Sequence, residues 1–546
     1  MILRKIKQKL SAFELIRKFK HIYIYNFKLK RKLNEQLDDK KINKYIIRGT
    51  KILIPLIETS HYQFYQLLII AKGLEIRGAD IKILVCGSCL DGCEIKSIRN
   101  VNDNDPCFKC RFNVKNILNK FNFNIVTIDN YVSHDIQQIL REEAYKLNKS
   151  TNTKILRHGI DLERCINDSI IRYYYGNVPN DQTEVDKIRL AHISTALISI
   201  EVAKKIDIDF NPDIILSSMP SYSAWEPYYK YYKLNGNRFK QISISQFNFN
   251  SLQYNSFELY LSSSRFNNYK NSRQNKNLNQ LEKKILEDFY YNRISGEAQI
   301  FKKDNYFLAT SKEEHLKKLK LNKSKRNIFL FSNVYWDIGL SELSSLYNGV
   351  IEWVLDTIEL LKEEENIHLY IKPHPAEVFD SSSSLKGVST TIKEKYPILP
   401  RNITIIEPEW QILTYDLFEY IDLGVIFNGT IGIEMMMSNI PVISTGRTTH
   451  FGLGLAYEPI NRIEYKTLLL GEKPTIISSK DSIDLFAYFY FIRSLIPWTL
   501  TETTYSNNFM GYNLNSLYDI EPGNNLNFDH LCNCILDKDN TVPEMW

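Results

Sequence analysis

Glycine and proline are both scarce in this chain of 546 residues, at 21 and 17, below the usual share of roughly 7% and 5%. That shortage argues against collagen-like, low-complexity and turn-dense all-β designs, and regular helices and strands are expected to dominate. Long uncharged apolar runs are missing too. The most apolar stretch, Leu485 to Ile492, stops at Arg493, well short of the roughly 18 residues that would span a bilayer. No secretory signal is legible either, because Arg4, Lys5, Lys7, Lys9, Glu14, Arg17 and Lys18 interrupt every candidate apolar core at the N-terminus. A cytoplasmic protein is expected. With 44% hydrophobic and 24% charged residues the chain can form a packed core.

The net charge is only +6, but it is unevenly distributed. Residues 1–48 hold fifteen Lys or Arg against four acidic residues, a local charge of +11, which leaves −5 for the rest. Within that segment Ile2, Ile6, Leu10, Phe13, Ile16 and Phe19 recur at steps of three and four, giving one apolar stripe with basic flanks. Such a helix suits an anionic membrane surface, here the inner face of the plasma membrane. Packing on its own protein is the plainer alternative. Nucleic acid is not expected, since no binding module accompanies the basic residues and the rest of the chain is acidic.

After Gly49 the pattern becomes strand, helix, strand: KILIPLIE from Lys51, a helical stretch over His61 to Arg77, and DIKILVC from Asp80. The same order returns in DIILSS (Asp213 to Ser218), a helix over Trp225 to Leu234 and KQISIS (Lys240 to Ser245). A basic stretch, Ser311 to Asn327, reads as a linker. Beyond it come NIFLFS, a helix over Asn348 to Lys362, HLYIKPH, NITIIEP, LGVIFN, a helix over Ile431 to Met437 and PVIST. The expected fold class is α/β, with two Rossmann-like doubly wound parallel-sheet domains facing across a cleft, the GT-B architecture. The expected division is a basic segment 1–48, a first domain 49–310, a linker 311–327, a second domain 328–480, and helices and tail 481–546.

Ligands of such sheets gather beyond the carboxyl ends of the strands. In HLYIKPHPAE the strand delivers Lys372, His374 and Glu377 within six residues. A Lys and a His there suit neutralisation of a departing phosphate. In VIFNGTIGIEMMMSNIPVISTG the strand ends at Asn428, Gly429 allows close backbone approach, and Thr430 is placed to cap the next helix. Glu434 sits one turn in and is a candidate for ribose hydroxyls, while Ile431, Ile433 and Met436 read as core.

The ordered set NVYWD (Asn333 to Asp337), IKPHPAE, LPRNITIIEP, TYDL, GTIGIEMMMSNIPVISTG and HFGLG, over Arg326 to Pro459, resembles bacterial glycosyltransferases related to capsule polysaccharide biosynthesis proteins, the sialyl- and Kdo-transferase-like group. Weaker matches in the first half are His61, CGSCLDGCE, CFKC and PSYSAWEP. The resemblance implies transfer of a sugar from a nucleotide-sugar donor to a growing surface or capsular polysaccharide or a lipid-linked glycan. It implies that His374 and Thr430 hold the donor phosphate and that Glu434 lies near the ribose, in a donor pocket completed by Asn333, Lys372, Glu377, Asn428, Gly429 and Gly446. The first Glu of the Glu-x7-Glu pattern of many retaining members would fall at Ile426, which weakens a retaining assignment. A catalytic base would then come from the first domain, with His61 the first choice and Glu226 the second. The alternatives are a GT-B-like glycerophosphotransferase, a sugar epimerase and a noncatalytic scaffold for polysaccharide assembly at the membrane.

No catalytic metal is expected, because Asp103-Asn104-Asp105 lies in a Cys-rich loop and Asp207-Ile208-Asp209 precedes a strand. Five of the eight cysteines cluster, at 86, 89, 93, 107 and 110. Several sets of four thiolates have spacings compatible with a structural zinc, and a group of reduced thiols in a loop is the other reading. The resemblance favours Cys86, Cys93, Cys107 and Cys110.

Overall fold

The computed structural model describes residues 33, 36–37, 49–59, 62–98, 105–150, 154–219, 221–236, 238–244, 251–255, 263–294, 316–317, 319, 321, 324–336, 346–378, 384–410, 412–471, 475–503 and 509–536. Two parallel sheets organise it, as the α/β grammar of the sequence predicts.

The first sheet is built from β1 (Lys51–Leu56), β2 (Asp80–Val85), β3 (Asn124–Thr127), β4 (Ile214–Ser217) and β5 (Arg238–Ile244), all parallel, with β6 (Ser251–Asn255) antiparallel to β5. Helices α1 (Tyr62–Ile76), α2 (Glu163–Tyr173), α3 (Gln182–Asp209) and α4 (Glu226–Leu234) fill the connections. Their apolar faces meet the sheet in two cores, one around Ile52, Leu68 and Ile83, the other around Leu53, Leu84 and Ile200. Burial on both faces is why β1 and β2 read as continuous apolar runs rather than alternating ones. Pro55 stands in a central strand and has no N–H to give a ladder. The β1–β4 pairing reaches only Ile52 and Leu53, so it ends before Pro55.

Helix α5 (Gln280–Ile294) comes next and packs with the second unit, not the first: Leu286 belongs to the core of the second sheet. That sheet contains β7 (Arg326–Phe331), β8 (Ile367–Lys372), β9 (Ile403–Ile405), β10 (Leu423–Ile426) and β11 (Val442–Ser444), all parallel, with α6 (Val350–Leu361), α7 (Ile431–Met437) and α8 (Lys480–Tyr488) against its faces. Arg326, placed by the sequence reading in the linker, is already the first residue of β7. The strand order is β9-β8-β7-β10-β11. The first sheet repeats it as β3-β2-β1-β4-β5. In each sheet the order reverses between the first and fourth strands, β1/β4 and β7/β10, which is where a doubly wound sheet opens a crevice.

The chain then returns to the first sheet. β12 (Leu495–Pro497) pairs antiparallel with β6, and α9 (Leu526–Leu536) packs on α1. Arg77 at the end of α1 donates to the Ile520 carbonyl at 2.9 Å and pairs with Asp529, and the Tyr512 hydroxyl donates to the Tyr65 carbonyl at 2.8 Å. Of the basic segment, Leu33, Gln36 and Leu37 are described. All three are buried on this same surface, and Gln36 Nε2 donates to the carbonyls of Tyr512 and Leu514. These three residues pack on their own protein. Among the described residues no helix is long and apolar enough to cross a membrane.

Candidate active site

The crevice of the second sheet lies between the loops leaving β7 and β10. Asn333, two residues past β7, accepts a hydrogen bond from the Asn428 backbone N–H at 3.3 Å through Oδ1. Gly429 follows with φ +129°, and a Cβ there would meet nothing nearer than Asn333 Nδ2 at 3.9 Å. The backbone therefore turns through a conformation that favours glycine while leaving open space above it. Asn333, Asn428 and Gly429, expected in one pocket, are brought together across the crevice.

Lys372 ends β8, the neighbour of β7. It is 3% exposed, and burial pulls its ammonium down to about 8. Among the described residues no acid pairs with it. A buried cation costs free energy unless a counter-charge meets it, so this position is suited to an incoming anion. His374, two residues past β8, is exposed, and its Nδ1 accepts the Ala376 N–H at 3.1 Å. Crowding by the surrounding protein, then the Lys372 charge, hold the imidazole down to about 4. The ring is neutral at pH 7, and with Nδ1 accepting, its proton sits on Nε2 as a fixed donor.

Other expected pocket residues have different work. Glu377 is buried and its carboxylate receives the Val388 N–H at 3.1 Å, anchoring the loop 384–388; burial, then Glu409, push its carboxyl up to about 8. Glu434 is 2% exposed. Its Oε1 pairs with Arg293 Nε of α5 at 2.5 Å and its Oε2 accepts from the Tyr415 hydroxyl at 3.0 Å. Both oxygens meet protein partners, which tie α7 to α5 and to Tyr415. Thr430 occupies the N-cap of α7 with αR dihedrals and makes no side-chain cap bond, so the expected cap does not form. Gly446, past β11, accepts the Ser444 hydroxyl at 3.2 Å.

In the first domain, His61 lies outside the described residues. Glu226 is fully buried at the start of α4, 2.6 Å from Arg164 Nη2 and 2.7 Å from Lys230 Nζ. A carboxylate locked between two cations and closed to solvent is a structural ion pair, and the expectation that it serves as base is corrected accordingly. Sequence reasoning missed Glu94. It follows the loop after β2, is partly exposed, and accepts the Trp225 indole N–H at 3.2 Å. Burial and the nearby Glu58 push its carboxyl up to about 7, the value suited to a general base at neutral pH. Arg172 also faces Glu94 electrostatically, and its guanidinium lies 4.5 Å from the ring centre of Trp336, three residues past Asn333. Glu94 thus stands on the side of the first domain that meets the crevice loop of the second. The only hint in the sequence was an acid at the end of CGSCLDGCE.

The cysteines remain free thiols. Burial raises the pKa of Cys86, Cys93 and Cys110, and Cys86 lies near enough to feel Cys107. Among the described residues no group of three or more His, Cys, Asp or Glu is arranged to hold a metal ion.

No family model and no curated protein matches this chain. Solved structures similar to it include two from Thermosulfurimonas dismutans KpsC. The beta Kdo 2,4 transferase is 13% identical, with 57% of this chain and 87% of that one covered and a TM-score of 0.34. The beta Kdo 2,7 transferase is 11% identical, with coverage of 53% and 79% and a TM-score of 0.31. The UDP-GlcNAc 2-epimerase of Neisseria meningitidis is 11% identical, with coverage of 82% and 99% and a TM-score of 0.25.

Proposed function

We propose that this chain is a metal-independent GT-B glycosyltransferase that moves a sugar from a nucleotide-sugar to a glycan or lipid-linked glycan of a surface polysaccharide. The observation that carries the reading is the buried Lys372, without an acidic partner among the described residues, beside His374 at the crevice spanned by Asn333 and Asn428. In this scheme the donor phosphate lies over Lys372 and the Nε2–H of His374. Glu94 accepts the proton of the acceptor hydroxyl while that oxygen bonds to the anomeric carbon. The bond from that carbon to the phosphate oxygen breaks, and its electron pair leaves with the phosphate, where the two cradle groups stabilise the developing charge. Lys372 supplies the positive charge that a metal would otherwise bring. The sequence motifs support the donor class, and the basic segment supports work at an anionic membrane surface.

A thermal-shift screen against CMP, UDP, GDP and CDP tests the donor site. One nucleotide should raise the melting temperature, and His374→Ala should abolish both that shift and nucleotide-sugar hydrolysis measured without acceptor. Unchanged hydrolysis in the variant would remove the donor-site reading.

A further inference from the structure

Among the described residues the two domains meet in a small clasp beside the proposed donor pocket. On the first-domain side, the turn that ends α2 runs through Tyr175 (φ +48°) and Gly176 (φ +84°). On the second-domain side are the β7 loop with Tyr335 and Trp336, and the loop 384–388 anchored by Glu377. The Leu385 N–H donates to the Tyr175 carbonyl at 3.1 Å. Trp336 meets Tyr175 edge to face with centroids 5.0 Å apart, Arg172 covers the Trp336 ring, and the Trp336 indole N–H holds Ser384 Oγ at 2.7 Å.

At its centre is the Tyr335 hydroxyl, 2.7 Å from the Gly176 carbonyl of the first domain and 2.6 Å from the Lys386 carbonyl of the second. A phenol has one proton and can donate to only one of two carbonyls at a time. Burial raises the Tyr335 pKa, so the proton stays on the ring oxygen. Letting go of Gly176 leaves the donor satisfied by Lys386, which makes the interdomain bond inexpensive to break. Gly176 is required for the approach, since a Cβ there would lie 2.3 Å from the hydroxyl oxygen.

We propose that Tyr335 is a positioning residue: by donating alternately to Gly176 and Lys386 it clasps and releases the acceptor domain beside the donor pocket. The loop that carries Tyr335 also carries Asn333, so the clasp and the crevice move as one piece. This role rests on the proposed transferase reading, but the clasp is testable without it.

Hydrogen exchange of the full-length protein, free of nucleotide, reads the clasp at the Leu385 amide. Tyr335→Phe removes the hydroxyl and keeps the ring. It should speed exchange in peptides covering 384–388 by about fivefold, the effect of one lost hydrogen bond, with β7 and β8 peptides unchanged. Gly176→Ala should do at least as much. In turnover, Tyr335→Phe should lower kcat for transfer while the nucleotide-induced melting shift stays at the wild-type value, a split that a general loss of structure would not produce. Equal exchange at Leu385 in the wild type and Tyr335→Phe would overturn the clasp. Absence of any nucleotide shift in the wild type would instead count against the transferase reading and leave the exchange result standing.

Discussion

Asn428 donates its backbone N–H to Asn333 Oδ1 at 3.3 Å, tying the loops that leave β7 and β10 across the gap where the strand order reverses. Because the Asn333 amide borders the open space above Gly429, its charge matters to any phosphate bound there. Asn333→Asp should weaken nucleotide binding more than Asn333→Ala, since it adds a negative charge as well as removing a donor. Isothermal titration with the nucleotide selected in the screen should show the alanine variant weaker by about tenfold, the loss of one charge-assisted hydrogen bond. Equal affinities for the two variants would place the phosphate elsewhere.

Lys372 offers a stability test that needs no substrate. Its ammonium is depressed from the ordinary 10.5 to about 8 by burial, so the folded state binds its proton more weakly than the unfolded chain does. Between about pH 8 and 10.5 the unfolded state holds more protons, and this group's contribution to stability therefore rises with pH across that window. Below it the full penalty of a buried charge remains. Lys372→Met should raise the melting temperature of the free protein near pH 7, flatten that alkaline rise and abolish the nucleotide shift. A destabilised Lys372→Met protein that still binds nucleotide would contradict the assignment of Lys372 as an anion ligand.

Glu434 and Arg293 separate a structural from a ligand-binding role. Arg293→Ala leaves a buried carboxylate without its cation, which typically costs about 3–5 kcal/mol. The transition of the second domain in urea should move by that amount. If Glu434 instead served the ribose, Arg293→Ala would change affinity for the nucleotide and leave the unfolding midpoint in place.

The two sheets were legible because β1, β2, β7, β8 and β10 are buried on both faces and so are written as apolar runs ending in polar loops. Ile431–Met437 could be read as a helix to its exact limits. Lys372, His374 and Asn428 could be singled out as candidates because each stands at or just past the end of such a run, whereas Asn333 was singled out through the NVYWD motif. The roles of Glu434, Glu226 and Glu94 were not legible, since partners distant in sequence decide what each does. Arg293 lies 141 residues before Glu434, and Trp225 lies 131 residues after Glu94. The return of Leu495–Pro497 to β6 was equally hidden, because a three-residue edge strand carries too little pattern to announce a pairing 242 to 246 residues away.

As the proposed base, Glu94 should set the pH dependence of transfer. Its carboxyl is pushed up to about 7, first by burial and then by Glu58, and a base must be deprotonated to act. Transfer should rise with pH through about 7 and fall below it, while nucleotide binding changes little in that range. Glu94→Gln keeps the shape and the partner of the Trp225 indole. It should cost about 10²–10⁴-fold in kcat, the usual worth of a general base, with donor binding intact. Because the folded state holds this proton more tightly than the unfolded chain, the same group lowers stability as pH climbs from about 4.5 to 7, and Glu94→Gln should remove that decline. A variant as active as the wild type would return the base to another first-domain residue, with His61 next in line.

The basic segment divides at its buried contact. Leu33, Gln36 and Leu37 belong to the first-domain surface, so a clean test must spare them. Removing residues 1–30 deletes nine Lys or Arg and one acidic residue without touching those three. At about 1 kcal/mol per basic residue near an anionic surface, even partial engagement of the nine would hold the protein on vesicles containing phosphatidylglycerol. The full chain should sediment with such vesicles, stay in solution with phosphatidylcholine alone, and be released by raised salt as screening shortens the reach of the charges. The shortened protein should remain in solution with both while keeping its melting temperature. Retention on anionic vesicles would move the contact to another surface, and a lowered melting temperature would mean that residues 1–30 pack on the protein as Leu33, Gln36 and Leu37 do.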